Sequence, residues 1–370
     1  MRIRPFQLER YFARYEFTAP YLLSCSDCEP LTLKEVLSFA DKEALELWEK
    51  LRLGYTESQG DPLLREEITG LYKTIAPEEV LVVTPEEGIF IAMNVLLEKG
   101  DHVVVTFPGY QSLYEIADAL GCEVTRWVPE ESDQWEFDIE RLRSRLKRNT
   151  KLLVINFPHN PTGALIKKEQ FEEILEMARQ RNIPVFSDEM YRFLEFDEED
   201  RLESASDLYD HGVSLFGLSK SFALAGLRMG WLVTKDKGLL ERFAAFKDYT
   251  TICSSAPSEI LSLIALRAKE KLLKRNLGLI GKNLKTLDSF FHRYSNIFSW
   301  IRPKAGTVAF PGLPGSRDVN KFCGDLLDKK GVMLLPAKVF DDRGNHFRIG
   351  FGRKDLDEAL RRLEEYIEES

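Results

Sequence analysis

The 370-residue chain has no surplus of positive charge, no apolar run approaching a membrane span, and only five cysteines. A formal net charge of −9 leaves no basic face for a phosphate backbone, which argues against nucleic acid as the main partner. Without some 20 consecutive apolar residues, no transmembrane helix and no membrane partner are expected. The N-terminal MRIRPFQLERYFARYEF contains arginines, but Glu9 and Glu16 interrupt them and no apolar signal core follows, so the expected compartment is the cytoplasm. The cysteines are odd in number and scattered, which makes no disulfide framework. Cys25 and Cys28 form a CxxC, yet no second Cys or His pair stands at zinc spacing and no strand precedes it. Neither a metal site nor a thioredoxin-like motif is expected. Internal repeats, low-complexity tracts and flexible linkers are lacking too.

What is present describes a soluble globular protein, with 44% hydrophobic and 30% charged residues, long enough for one large core plus a smaller unit. From about residue 80, short β-branched runs alternate with amphipathic stretches. EVLVVT (79–84), HVVVTF (102–107), CEVTRWV (122–128), KLLVINF (151–157), IPVFSDE (183–189), SLFGLS (214–219) and GWLVT (230–234) read as strands. Helical patterns lie between them, to Glu98, from Gln111 to Leu120, and from about Lys167 to Arg181. The rhythm predicts an α/β fold, a mostly parallel sheet with helices on both faces. A helical region follows from about Lys237 to Arg293, broken near Cys253 to Pro257. Short strands in GVMLLP and HFRIGF and a closing helix from Lys354 to Glu368 end the chain. Residues 46–280 are expected to form the large domain, and 1–45 with 281–370 a smaller α+β domain built from both chain ends.

In open parallel sheets, ligands sit at the carboxyl ends of the strands, so the residues just beyond each strand carry the most information. They are Tyr110 after HVVVTF, Asn160 in PHNPTG after KLLVINF, Asp188 at the end of IPVFSDE with Tyr191 beyond, and Lys220 after SLFGLS. In GLSKSFALAGLRMG, Lys220 and Arg228 are the only charged residues. An ammonium buried among Leu218, Phe222 and Leu224 is costly unless it is paired, neutralised or chemically converted. The plainer alternative is a snorkelling surface lysine and an arginine in a salt bridge.

Taken together, GLSKSFALAGLRMG, NPTG (160–163), SDEMY (187–191), YTESQGDPLLRE (55–66) and FRIGFG (347–352) resemble, in order, landmarks of the class I/II, fold-type I aminotransferases. These enzymes depend on pyridoxal 5'-phosphate. The resemblance covers essentially the whole chain and implies the following roles. Lys220 is held as an imine (Schiff base) with the coenzyme aldehyde and, once freed, serves as the base that moves the substrate α-proton. Asp188 keeps the pyridine nitrogen protonated, while Asn160 and Tyr191 bond the ring's phenolate oxygen and Tyr110 stacks on the ring. Arg228 neutralises the coenzyme phosphate. Arg348, with Asn160, binds the α-carboxylate, and Tyr55 reaches across a homodimer interface to the neighbouring coenzyme.

Two departures from the family pattern stand out. Gly217 occupies a common serine position, so one phosphate hydrogen bond is expected to be missing or replaced by Ser219. TPEEG (84–88) falls where relatives present a Gly-rich helix start. Pro85 has no N–H there, and the N–H groups of Glu86 and Glu87 are expected to take the phosphate with both side chains turned outward.

The activity implied is ping-pong transfer of an amino group between an L-amino acid and a 2-oxo acid. A C–S β-lyase, racemase or decarboxylase would start from the same imine, because fold does not fix reaction. A regulatory protein that keeps the fold is disfavoured, since the landmarks begin too near the N-terminus for a preceding DNA-binding domain. No residue is assignable as a second arginine for a distal carboxylate. Phe12, Tyr15, Phe17 and Tyr21 tilt the expected substrate toward neutral or aromatic amino acids, whereas Glu16 or Asp27 would suit a basic one.

Overall fold

The computed structural model describes residues 2–369. Seven strands form the large sheet: β1 (Val80–Val83), β2 (His102–Thr106), β3 (Glu123–Trp127), β4 (Thr150–Asn156), β5 (Val185–Asp188), β6 (Gly212–Gly217) and β7 (Gly230–Val233). Their order is β1-β7-β6-β5-β4-β2-β3, and β7 alone runs antiparallel to its neighbours. Every residue of β1, β2, β5, β6 and β7 is buried, as continuous Val/Leu-rich runs require when both faces are covered. Side-chain alternation divides β1 between two cores. Leu81 and Val83 pack with Met93 and Leu113 on one face, and Val80 and Val82 with Trp231 and Ile264 on the other.

Connections place the carboxyl ends of β2, β4, β5 and β6 along one rim. The helix Pro85–Leu96 begins directly after β1, with Pro85 at its first turn and Glu86 and Glu87 in the N-terminal positions favoured by the helix dipole. Beyond β7, the expected helical region is three helices, Lys237–Lys247, Ala256–Arg267 and Lys269–Arg293. The break at 248–255 overlaps the one expected near Cys253 to Pro257 but begins earlier, with Ala256 and Pro257 already in the next helix, and a second, at Ala268, was not anticipated.

A second sheet joins β8 (Val308–Ala309), β9 (Leu335–Pro336) and β10 (Phe347–Gly350) in the antiparallel order β8-β10-β9. It shares a core with the helices Val319–Lys330 and Leu356–Glu368, and with Ile280, Leu284, Leu287 and Phe291 of the helix Lys269–Arg293. That helix bridges the two units, since Leu272 and Leu273 belong to the large-sheet core. At the other chain end, Leu23 and Cys28 pack in the smaller core. Val36 and Ala44, expected there, pack instead against the large sheet, so the crossover lies between Cys28 and Val36 rather than at residue 45. Among the described residues, no helix is long and apolar enough to cross a membrane.

Candidate active site

A cavity of about 460 Å3 opens at the carboxyl ends of β4, β5 and β6, where the second sheet leans over the first. Lys220, Asp188, Tyr191, Asn160, Tyr110, Ser219, Arg228, Arg348, Pro85 and Glu86 all line it. Tyr55 and Glu87 do not. Tyr55 is 90% exposed on the loop before the helix Pro62–Thr69.

Asp188 is the last residue of β5 and is fully enclosed. Burial pushes its carboxyl up to about 7, against a hydrogen bond from the Met190 N–H (3.1 Å) and the field of Lys220. No ion pair satisfies it among the described residues. Asn156, the last residue of β4, ties the strand ends together. Its amide donates to the Asp188 carbonyl (3.0 Å), and its oxygen accepts from the Asn160 N–H (2.9 Å). Asn160 therefore sits at a fixed height on the rim, and its side-chain oxygen accepts from Arg348 Nη1 at 3.1 Å.

Arg348 comes from β10 and is fully buried, a costly position for a guanidinium unless its donors are used. Nη2 donates to the Ser24 carbonyl (2.8 Å), but Nε has no partner. The buried Tyr191 hydroxyl likewise has none. Two orphaned polar groups lining one cavity are the mark of a site shaped around a ligand.

Lys220 Nζ donates to Ser26 Oγ at 2.7 Å and stands 6.0 Å from the Tyr191 ring centre. Thr307 fixes the Ser26 carbonyl at 2.6 Å. Sequence reasoning missed both Ser26 and Asn156. The first was hidden inside CSDC, read for its cysteines and for Asp27; the second ends a strand whose following residues alone were inspected. Cys25 and Cys28 themselves are buried, and burial pushes their thiols up to about 11 and about 12, which leaves them poor nucleophiles.

The floor beside β1 explains one departure and corrects one expectation. A Cβ on Gly217 would lie 2.7 Å from the Met229 carbonyl oxygen and 3.2 Å from Pro85 Cγ, and one on Gly230 would meet Pro85 Cγ at 2.9 Å. Pro85 thus fills a space that two glycines leave open, and a serine at 217 does not fit. Glu86 and Glu87 do not both turn outward. Glu87 does: it caps the Thr84 N–H (3.1 Å) and accepts from Thr251 Oγ1 (2.7 Å). Glu86, one residue and about 100° further round a helix, points inward. It accepts from Ser112 Oγ at 2.6 Å, its other oxygen is unpartnered, and burial raises its carboxyl above the ordinary range. The shift of the inward Glu86 toward its neutral form lessens the repulsion that an outward rotation was expected to avoid. Tyr110 lies beside it and donates to Glu9 at 3.1 Å, with its ring 4.9 Å from that of Phe6.

Residues 23–363 match the family described as aminotransferase class I and II. The chain is 30% identical to capreomycidine synthase of Streptomyces vinaceus over 314 residues, 84% of this chain and 80% of that protein. Its structure superposes on a PLP-dependent aminotransferase from Streptococcus suis with a TM-score of 0.93 and 29% identity, covering 100% and 99% of the two chains. A solved PLP-dependent cyclase gives 0.90 and 26%, covering 100% and 98%. The chain belongs to the aminotransferase class I and II family, whose members are enzymes dependent on pyridoxal phosphate, and its fold is their fold-type I.

The cavity fits that coenzyme. Asp188 is a buried carboxyl in want of a cation, the exposed Arg228 spends one donor on Ala225 O (2.9 Å), and the N-terminus of the helix Pro85–Leu96 faces the same space.

Proposed function

We propose that this chain transfers an amino group between an L-amino acid and a 2-oxo acid by a two-stage ping-pong cycle. The observation that carries the reading is the meeting of Lys220, the enclosed Asp188 and the half-satisfied Arg348 in one cavity. Pyridoxal phosphate supplies an electron sink for the pair left when a bond to the substrate α-carbon breaks.

Asp188 holds a proton on the pyridine nitrogen, its own ionisation stabilised by the cation it makes. Arg348 would take the substrate α-carboxylate with its unpartnered Nε, and its bond to Asn160 would leave the amide NH2 of Asn160 for the coenzyme ring oxygen, to which the Tyr191 hydroxyl would also donate. Lys220 Nζ, steadied by Ser26, would serve as the base that takes the substrate α-proton. Arg228, the Ser219 hydroxyl and the first-turn N–H groups of Glu86 and Glu87 receive the phosphate, and Tyr110 covers the ring. We further propose that the working unit is a homodimer. Leu53, Tyr55 and Tyr249 are each more than 80% exposed, side chains that a second copy would cover, with Tyr55 reaching its site.

The similarity to a cyclase supports a second reading, in which the same base opens a different reaction at the α- and β-carbons. One experiment separates the two. Mixed with single amino acids and no oxo acid, the coenzyme-loaded enzyme loses its coenzyme absorbance and releases one 2-oxo acid per site if it transfers amino groups. A spectrum restored without oxo acid release favours the second reading.

A further inference from the structure

The wall of the cavity facing Lys220 is acidic, and the proposed function leaves that acidity unused. The first helix, Gln7–Tyr15 with Glu16 at its C-terminal end, turns Glu9, Phe12 and Glu16 toward the cavity, a spacing of three and four residues that puts them on one helical face. Asp27 joins them from the segment that runs beside β10.

Among the described residues, none of the cations that line or border the cavity forms an ion pair with Glu16, and Arg228 donates to the Ala225 carbonyl. Arg353 forms a two-pronged pair with Asp27 at 2.9 and 3.0 Å, Lys220 is bonded to Ser26, and Arg348 lies against Asn160 and the Ser24 carbonyl. Glu9 accepts from the Tyr110 hydroxyl. Glu16 has neither a hydrogen bond to its carboxylate nor a cation within ion-pair distance among the described residues. Burial and the carboxylates of Asp27 and Glu9 raise its proton affinity, the reverse of what a settled ion pair does.

An unpaired carboxylate on a cavity wall is explained by a ligand that brings a positive charge. That a ligand belongs here is shown independently by the orphaned Arg348 Nε and Tyr191 hydroxyl, both buried and both lining the same cavity.

We propose that the substrate is an amino acid with a cationic side chain, received by Glu16 and Glu9 over the Phe12 ring while Arg348 holds its α-carboxylate. This rests on the α-carboxylate pose of the proposed function. A second carboxylate, as on aspartate or glutamate, would instead meet Glu16, Glu9 and Asp27 and be repelled. Phe12 adds an aromatic face for the cation, which explains aromatic residues beside acidic ones without requiring an aromatic substrate.

The test measures binding without turnover. Calorimetry on the coenzyme-loaded enzyme compares δ-guanidinovalerate and the trimethylammonium analogue of ε-aminocaproate, which have no primary amine and cannot form an imine, with valerate, whose side chain is uncharged, and with glutarate. One or both cationic ligands should bind at least about tenfold tighter than valerate, and glutarate weaker still. Which cation leads distinguishes a guanidinium from an ammonium substrate. In Glu16→Gln the ratio of cationic to valerate affinity should fall toward one, and the ratio remains informative if overall affinity drops. Equal affinities for all four ligands, measurable or not, overturn the proposal, as does tighter binding of glutarate. Failure of the amino-transfer reading shows elsewhere, as amino donors that release no 2-oxo acid.

Discussion

Pro85 occupies the space that a side chain on Gly217 would need, with its Cγ 3.2 Å from where that Cβ would be. The helix start after β1 and the end of β6 are therefore matched to one another. The nearer obstacles to a side chain at 217 are backbone, the Met229 carbonyl oxygen at 2.7 Å and Gly230 Cα at 2.9 Å, and Pro85 closes the same space from the helix side.

Gly217→Ser should consequently destabilise the protein. Its Cβ would press on the Met229 carbonyl oxygen at 2.7 Å, a backbone atom that cannot swing away. Overpacking of this kind costs about 1–3 kcal/mol, seen as a lower melting temperature of the coenzyme-free protein. An unchanged melting temperature together with tighter coenzyme binding would show instead that the serine is accommodated.

Asp188 yields a pH-dependent prediction. Its folded value is raised from 3.8 to about 7, so folding favours its protonated form. That stabilisation is complete below the unfolded value and is lost as the pH rises through about 7. Without coenzyme, wild type should lose melting temperature relative to Asp188→Asn between about pH 5 and pH 8. With coenzyme bound, the ionised Asp188 gains a cation and the trend should reverse. A constant difference between the two proteins in both states would mean that Asp188 is not the ring partner.

Tyr55 tests the proposed dimer. If Tyr55 completes the neighbouring site, Tyr55→Ala and Lys220→Ala homodimers are both impaired, but a mixed dimer has one site with both residues intact. Random exchange makes half the molecules mixed, so activity should recover to roughly a quarter of wild type. Confirmed mixed dimers without recovery would detach Tyr55 from the site.

Much of this architecture was legible because local pattern and final environment agree. Each of the seven large-sheet strands lies within or against a β-branched run that reads as buried, and the break after Lys247 coincides with loop residues. The two-residue strands β8 and β9 carry no such signal, since they exist only through pairing with β10. The rim residues Tyr110, Asn160, Asp188, Tyr191 and Lys220 were readable from strand ends, a rule of topology. Ser26, Glu9 and Asn156 were not, because they arrive from the N-terminal segment or through side-chain bonds that only the folded chain brings together. Glu86 was misjudged for a similar reason. Its inward turn depends on Ser112, which lies 26 residues away.

The central claim is that Lys220 carries the coenzyme. Borohydride treatment of the coenzyme-loaded enzyme followed by peptide mapping addresses it directly. The account predicts one reduced pyridoxyl label, on the peptide containing Ser219, Lys220 and Ser221, and none in Lys220→Ala. A label on any other lysine, or an undiminished label in that variant, would contradict it.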